Sequence, residues 1–399
     1  MTEKNINFPK IILHPKRDVA VRRYHPWVFS GAIKKFEGLA KDGDVVEVFD
    51  SKGEYLATGH YHKGSIMVRI FSFEQTDGDL LFWKNKLQKA VDYRQKLDLI
   101  DSESTNCYRL MHGEGDGAPG LIIDIYGNTA VIQCHSIGMH REREKLAQAL
   151  REIYGEKLSA VYDKSAESLP NNYAETMENG YLFGEFSDKA VKENDHLFQV
   201  NWETGQKTGF FLDQRVNRQL LTQYCKDKSV LNAFCYSGGF SIYALAAGAK
   251  LVHSVDISQK AIDLTEENVA INQFQDKNHE SYTADVLKFL KESETEYEVM
   301  VVDPPAYAKS IKKRHNAVQG YKRLNAAAME KIAPGGILFT FSCSQVVDKT
   351  LFYNTIVAAA IEARRTVKVM AHLSQPADHP VSLFHPEGAY LKGLVLYVE

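Results

Sequence analysis

The octapeptide LFTFSCSQ, Leu338 to Gln345, sets a cysteine between two serines at the end of an apolar, strand-type run. Free cysteine packs as a small hydrophobe, and that is the plain reading of Cys343. The other reading is a nucleophile at the mouth of a site, since a thiolate is the reactive form of this side chain. A second chemical group stands upstream in VVDPPAYAKS, where Asp303-Pro304-Pro305 closes another apolar run. Two prolines end a strand and stiffen the loop after it. They do not explain why an acid precedes them. A carboxylate held there can reach a planar base and take part in proton transfer. Tyr307 adds a ring on which a base taken out of its stack can lie.

A third stretch, VLNAFCYSGGFS, reads as a strand, a glycine-rich turn and a helix. Open α/β sheets bind ligands beyond the carboxyl ends of such strands. Asp256 ends the next strand, LVHSVD, where an acid can hold ribose hydroxyls. Asp285, in YTADVLKF, is a further acid in the same series. The fingerprint G-x-G-x-x-G is absent; Gly238 and Gly239 come late and as a pair. A dinucleotide, whose pyrophosphate needs close backbone approach, is therefore disfavoured. S-adenosylmethionine has no phosphates and makes no such demand. With that cofactor nearby, Cys343 and Asp303 suit one reaction. Cytosine C5 is a poor nucleophile, and thiolate addition to C6 makes it enamine-like, able to attack a methylsulfonium carbon; elimination then restores the ring. Two other motifs are set aside. GQKTG lacks the upstream glycine and the Gly-Lys pair of a P-loop. GHYHKG puts His60 and His62 on one strand face without further ligands nearby, a surface pair and not a metal site; no metal is expected.

These groups need a scaffold. From about Asp227, strands alternate with helices: KSVLNAFCY, LVHSVDI, EVMVVDPP, GGILFTFSCS, RRTVKVMAHLS and LKGLVLYVE are strands, and FSIYALAAG, QKAIDLTEENVAINQ and QGYKRLNAAAMEKIA are helices. The pattern predicts a mainly parallel, doubly wound sheet. Pro334-Gly335-Gly336 reads as the turn into the cysteine strand. The first ~75 residues read as short strands with turns, a small β domain. A helix follows over roughly Leu80 to Leu97, with Leu80, Trp83, Leu87, Val91 and Arg94 at helical spacing. Gly127-Asn128 predicts a two-residue hairpin turn, and Glu142 to Tyr154 an amphipathic helix with Leu146, Leu150 and Ile153 on one stripe. YLFGEFSD and HLFQVNWE read as strands at a boundary near residue 190. The expected domains are 1–75, 76–189 and 190–399.

Composition narrows the class. Of 399 residues 44% are hydrophobic and 25% charged, which suits a globular chain. No run is long enough to span a bilayer, and MTEKNINFPK lacks the apolar centre of a signal peptide, so a cytoplasmic location is expected. The five cysteines, Cys107, Cys134, Cys225, Cys235 and Cys343, form no C-x-x-C pair, so neither a disulfide framework nor a zinc ribbon is indicated. Formal net charge is −3, which excludes a wholly basic nucleic-acid binder. Local charge differs. Lys4, Lys10, Lys16, Arg17, Arg22, Arg23, Lys34 and Lys35 stand against only Glu3 and Asp18 between Met1 and Lys35. Ala306 to Arg323 holds Lys309, Lys312, Lys313, Arg314, Lys322 and Arg323 without an acid. Two such segments can make a phosphate-binding face, although either alone also fits an ordinary solvated surface.

HPWVFSGAI, KTGFFLDQR, NAFCYSGGFS, DPPAYAKS, GYKRLN, FTFSCS and ADHPVSLFHPEGAYLKG together resemble the ribosomal RNA large subunit methyltransferase I family, from about residue 10 to the C-terminus. The resemblance implies an α/β protein: an N-terminal PUA domain, a small central α/β domain and a C-terminal Rossmann-like methyltransferase domain. It implies S-adenosylmethionine as cofactor, cytosine C5 of 23S rRNA as target, and a homodimer. Cys343 would be the nucleophile. Asp303 would contact the base and help protonate N3, with Pro304, Pro305 and Tyr307 beside it. Phe234, Tyr236, Gly238, Asp256 and Asp285 would surround the cofactor, and Asp213 and Arg215 would lie near that pocket. Ala306 and Tyr307 depart from the family pattern, since Phe is expected in place of Tyr307, and no second cysteine follows Asp303-Pro304. Two other readings stay open. An exocyclic amino methyltransferase, acting on adenine N6 or cytosine N4, needs no thiol and calls for an aromatic where Ala306 stands. A non-catalytic RNA-binding assembly factor would keep the fold without turnover. A nicotinamide dehydrogenase is disfavoured by the missing fingerprint.

Overall fold

The computed structural model describes residues 8–185, 190–308 and 310–399. Packing divides the chain into two compact units. The first comprises Met1–Val191, Val200–Phe210 and Ala377–Gly388; the second comprises Lys192–Gln199, Phe211–Pro376 and Ala389–Glu399. Lys4, Lys309 and part of the GEFSD segment lie outside the described residues.

The first unit holds two sheets. Strands β1 (Lys10–Leu13), β2 (Trp27–Phe29), β3 (Ile33–Glu37), β4 (Val45–Phe49), β5 (Tyr55–Tyr61) and β6 (Ile66–Ser72) pair in the order β2-β6-β5-β4-β1-β3. Alternation in VVEVF sends Val46 and Val48 into a core with Ile11, Leu13 and Val68. The second sheet, β7 (Cys107–His112), β8 (Leu121–Tyr126), β9 (Thr129–Cys134), β10 (Ala160–Asp163) and β11 (Gly180–Phe183), is ordered β11-β10-β9-β8-β7. Gly127-Asn128 is indeed the whole connection between β8 and β9. Helix Leu80–Gln95 buries Trp83, Leu87, Val91 and Arg94, four of the five residues read at helical spacing. Arg94 can be fully buried because four of its five guanidinium N–H donors are engaged. It forks onto Asp116 at 2.6 and 2.9 Å and donates to the carbonyls of Arg109 and Asp378. The reading of His60 as a surface residue is corrected. It is 2% exposed, its ring packs against Phe71, and Glu142 lies 3.9 Å away, whereas His62 pairs with Asp42. Two residues apart, they would share one strand face, but β5 ends at Tyr61, so His60 is held within the sheet and His62 lies beyond it.

The second unit carries a hairpin, β12 (Ala190–Glu193) and β13 (His196–Gln199), and a seven-stranded sheet. Its strands are β14 (Ser229–Ala233), β15 (Leu251–Asp256), β16 (His279–Thr283), β17 (Tyr297–Val302), β18 (Ile332–Ser342), β19 (Val367–Leu373) and β20 (Lys392–Val398), in the order β16-β15-β14-β17-β18-β20-β19. β14 to β18 are mutually parallel and joined by helices; β20 runs antiparallel between β18 and β19. Residues of β14 and β17 are almost wholly buried, as strands covered on both faces require. The strand order reverses at β14 and β17. That reversal opens a crevice at their carboxyl ends, the switch point where open sheets bind ligands. Pro334-Gly335-Gly336 is not the turn before the strand but part of β18. The register against β17 slips there, from Tyr297↔Ile332 to Val299↔Ile337, and Gly335 takes φ +78°. The segment is a bulge, which glycine permits. No helix among the described residues is long and apolar enough to cross a membrane.

Candidate active site

The loop that leaves β14 is held in an unfavourable backbone shape. Phe234 has φ +61°, Tyr236 φ +48° and Gly238 φ +74°. Left-handed backbone costs a residue with a Cβ about 1–2 kcal/mol and persists only where neighbours over-determine it. Those neighbours can be named. Cys235 N–H donates to the Val255 carbonyl at 3.0 Å, and Tyr236 N–H to Asp256 Oδ2 at 3.1 Å. From helix Gln259–Ile271, Thr265 Oγ1 donates to the Tyr236 carbonyl and Asn268 Nδ2 to that of Ser237. At Gly238 a Cβ would sit 2.7 Å from Thr265 Cγ2, so glycine serves both φ and space. The Phe211 ring meets Tyr236 edge-on at 5.2 Å. Two aromatic side chains and a strand-end carboxylate are thus fixed at the switch point. They fit an adenosine: apolar surface for the base, an acceptor for ribose hydroxyls. Asp256 also accepts from Ser258 N–H, and Asp285 caps helix Val286–Glu292 by accepting from Lys288 N–H at 2.9 Å.

Asp303 and Cys343 emerge from neighbouring parallel strands at the same edge, since Val302 pairs with Thr340. Asp303 Oδ2 accepts from Gln214 Nε2 at 2.9 Å, and Gln214 Oε1 accepts from Asn217 Nδ2 at 2.6 Å. A chain of two amides therefore sets the carboxylate's angle. The serines around Cys343 are also explained. Ser344 Oγ donates to the Ala308 carbonyl at 2.8 Å, and Ser344 N–H points to Ser342 Oγ at 3.4 Å. They stitch the cysteine turn to the loop that follows Asp303. Cys343 is half-buried, whereas the other four cysteines are buried. Burial pushes the thiols of Cys225 and Cys235 up to about 12, which keeps them protonated.

The remaining expected residues fall around this edge. Pro304 is buried and Pro305 exposed. The Tyr307 ring is half-buried, 4.8 Å from that of Tyr321, and a Cβ at Gly320 would come within 3.0 Å of it. Asp213 accepts from the Tyr390 hydroxyl at 2.7 Å, and Arg215 is buried at the start of helix Arg215–Leu221. Gln214, Asn217, Thr265, Asn268, Tyr390 and Lys392 were not singled out from sequence. Gln214 lies inside FFLDQR, and Tyr390 and Lys392 inside GAYLKG, but their partners are too distant in the chain for spacing to connect them. Among the described residues, the group whose ligand atoms gather as a metal site's would is His25, His385 and Glu387, within 4.8 Å of one another; it does not include His60 or His62.

The sheet order, the strained loop at the switch point and the strand-end acids define an S-adenosylmethionine-dependent methyltransferase. A family model of that description matches residues 109–394, and a PUA-like domain matches residues 11–73. The chain belongs to the ribosomal RNA large subunit methyltransferase I family. The protein of that name from Alteromonas mediterranea is 40% identical over 98% of each chain, and that from Aeromonas salmonicida 39% identical over 97% of this chain and 98% of its own. Among solved structures, a SAM-dependent methyltransferase from Streptococcus mutans, 22% identical, superposes with a TM-score of 0.83 over 98% of this chain and 100% of its own, a likeness of fold.

Proposed function

We propose that this protein methylates cytosine C5 in RNA, in 23S rRNA of the large subunit, through a covalent Cys343 adduct. The observation that carries the reading is the stitched, half-exposed Cys343 one strand from Asp303 at the cofactor edge. The relatives' names supply the rRNA substrate, and the PUA-like match supports RNA as the partner. Phe234, Tyr236, Gly238, Asp256 and Asp285 hold the cofactor, with Asp213 and Arg215 supporting the pocket. When bound, S-adenosylmethionine supplies an electrophilic methyl carbon. The Cys343 thiolate adds to C6 of the base, and the C5–C6 π pair is pushed toward C5 and the ring. Asp303, angled by Gln214, sits at N3 and shares a proton with it, so the adduct forms without a full negative charge on the pyrimidine. Pro304, Pro305 and Tyr307 shape the wall beside the base. Once C5 carries the methyl group it loses its proton to a base, the carbon–sulfur bond breaks, and the electron pair returns to sulfur.

The test uses rRNA from cells lacking this protein, purified full-length chain and methyl-labelled S-adenosylmethionine, followed by nucleoside analysis. Label in 5-methylcytidine that is lost with Cys343→Ala is the expected result. Label in an N-methylated base that survives the substitution would overturn it in favour of exocyclic amino transfer. RNA binding without any label would favour the assembly-factor reading.

A further inference from the structure

Lys392 opens β20 and pairs across the antiparallel ladder with Ser342. It is 5% exposed, and its Nζ donates to the Ser344 carbonyl at 2.7 Å. The residue it faces and the residue it binds are those immediately before and after Cys343. A lysine at a strand end ordinarily keeps its ammonium in water along an extended stem. This one folds its charge inward, onto a neutral carbonyl that engages one of three donors. Burying a charge with so little compensation is costly. An anion near it would change that balance, and Cys343, between the residue it pairs with and the residue it binds, is close enough for its charge to act on the lysine.

We propose that Lys392 is the cation of the nucleophile: it takes up the Cys343 thiol proton and holds the thiolate for attack on the pyrimidine. This rests on the reading of Cys343 as nucleophile. The step is balanced within the pair. Lys392 as the neutral amine, the form that burial favours, takes the proton on its nitrogen lone pair, the S–H bonding pair stays on sulfur, and no outside base is needed. That sulfur pair forms the bond to C6 and returns on elimination, which restores the ammonium–thiolate pair. Burial pulls the Lys392 ammonium down to about 8, and a thiolate at Cys343 raises it. An ordinary thiol titrates near ~8.5, so the two groups are matched for proton exchange. The other charges near Lys392 are Asp348, which favours the ammonium, and Lys349, which opposes it. From helix Arg314–Lys331, Tyr321 also feels Cys343, but burial holds its hydroxyl neutral.

The experiment is alkylation of the full-length protein by iodoacetamide across a pH series, without RNA, read on the Cys343 peptide by mass spectrometry. The other four cysteines are buried, so the readout is selective. Wild type is expected to half-titrate at least one unit below the ~8.5 of a free thiol. Lys392→Met should raise that midpoint and slow alkylation at neutral pH by about tenfold or more, one pKa unit being tenfold in thiolate. Lys392→Arg, which keeps the charge, should retain the low midpoint. An unshifted midpoint in Lys392→Met, or a wild-type thiol titrating at or above the free value, overturns the proposal. The second criterion needs no variant and holds even should Lys392→Met fail to fold. Failure of the wild type to form 5-methylcytidine alongside a shifted midpoint would sink the proposed reaction and leave the pair standing. Wild-type methylation rates and pH profile in Lys392→Met would do the reverse.

Discussion

At the scale of single residues, the proposed reaction divides the site into groups that would react and groups that would aim them. Asp303 is held by Gln214, and Gln214 by Asn217, at 2.9 and 2.6 Å. Replacing Gln214 by Leu keeps the volume but removes the donor. The carboxylate then loses a fixed partner and can rotate. A misplacement on the order of 1 Å can cost about 100-fold in rate. Gln214→Leu should therefore lower kcat for methyl transfer by about 10- to 100-fold, with S-adenosylmethionine affinity unchanged by calorimetry. A parallel loss of cofactor affinity would mean that Gln214 supports the cofactor pocket instead. That Cys343 and Asp303 stand at one edge of the sheet was legible in the sequence because each closes an apolar run. Gln214 was not, because its partner lies 89 residues away and only the fold joins them. Ser342 and Ser344 were visible as neighbours of the cysteine, but their structural work, tying two loops together, became apparent only from the geometry.

At the scale of elements, the two ends of the parallel strands do different jobs. The carboxyl ends carry strain and the amino ends carry stability. Gly238→Ala places a Cβ 2.7 Å from Thr265 Cγ2 at φ +74°. The loop must shift, carrying Tyr236 and its bond to Asp256 with it. Weaker S-adenosylmethionine binding by calorimetry is expected, with a melting-temperature loss corresponding to about 1–3 kcal/mol, the usual cost of a strained backbone residue. Unchanged binding would show that the loop's shape is not what the cofactor reads. At the opposite end, Glu298 in β17 receives Lys228, Lys250 and the Ser229 amide, which join β17 to the starts of β14 and β15. The two lysine bonds lead in pulling its carboxyl down to about 2. Since the folded pKa is the lower one, this clamp stabilises fully above the ordinary carboxylate range and is lost as pH falls toward about 2. Glu298→Gln should lower the melting temperature at neutral pH, lose that deficit as the medium is acidified, and leave kcat unchanged. A deficit constant with pH would show that charge is not the cause. The alternation of strands and helices was readable from periodicity because apolar runs and amphipathic stretches are local. The bulge at Pro334-Gly335-Gly336 was misread, because a proline–glycine pair looks alike in a turn and in a bulge until the neighbouring strand is known.

At the scale of the whole molecule, a net charge of −3 cannot draw RNA from a distance, so local clusters must do so. They are unequal. In the N-terminal segment Arg22 is engaged by Asp18, Asp50 and Glu54, and Lys35 by Glu37, so part of that charge is already neutralised. In the later segment Lys322 pairs with Glu362, but Lys312, Lys313 and Arg314 are exposed where helix Arg314–Lys331 begins, shortly after the Asp303 loop. Cations in that place would grip the phosphates flanking a nucleotide presented to Cys343. Each phosphate contact releases counterions, which steepens the fall of log K with log salt by about 0.7 for single strands and 0.9 for duplex. Replacing all three residues by Gln should weaken binding to rRNA fragments and flatten that slope by about 2 to 3. Cofactor affinity should stay the same, and methylation should recover at high RNA concentration, because the reacting groups are untouched. An unchanged slope would place the phosphate contacts elsewhere. The remaining exposed cations of the N-terminal segment, Lys16, Arg17, Arg23 and Lys34, would then be the ones to replace next. A flattened slope with a lost kcat would instead mean that this helix start orders the Asp303 loop as well as gripping RNA, so that binding and chemistry share one element.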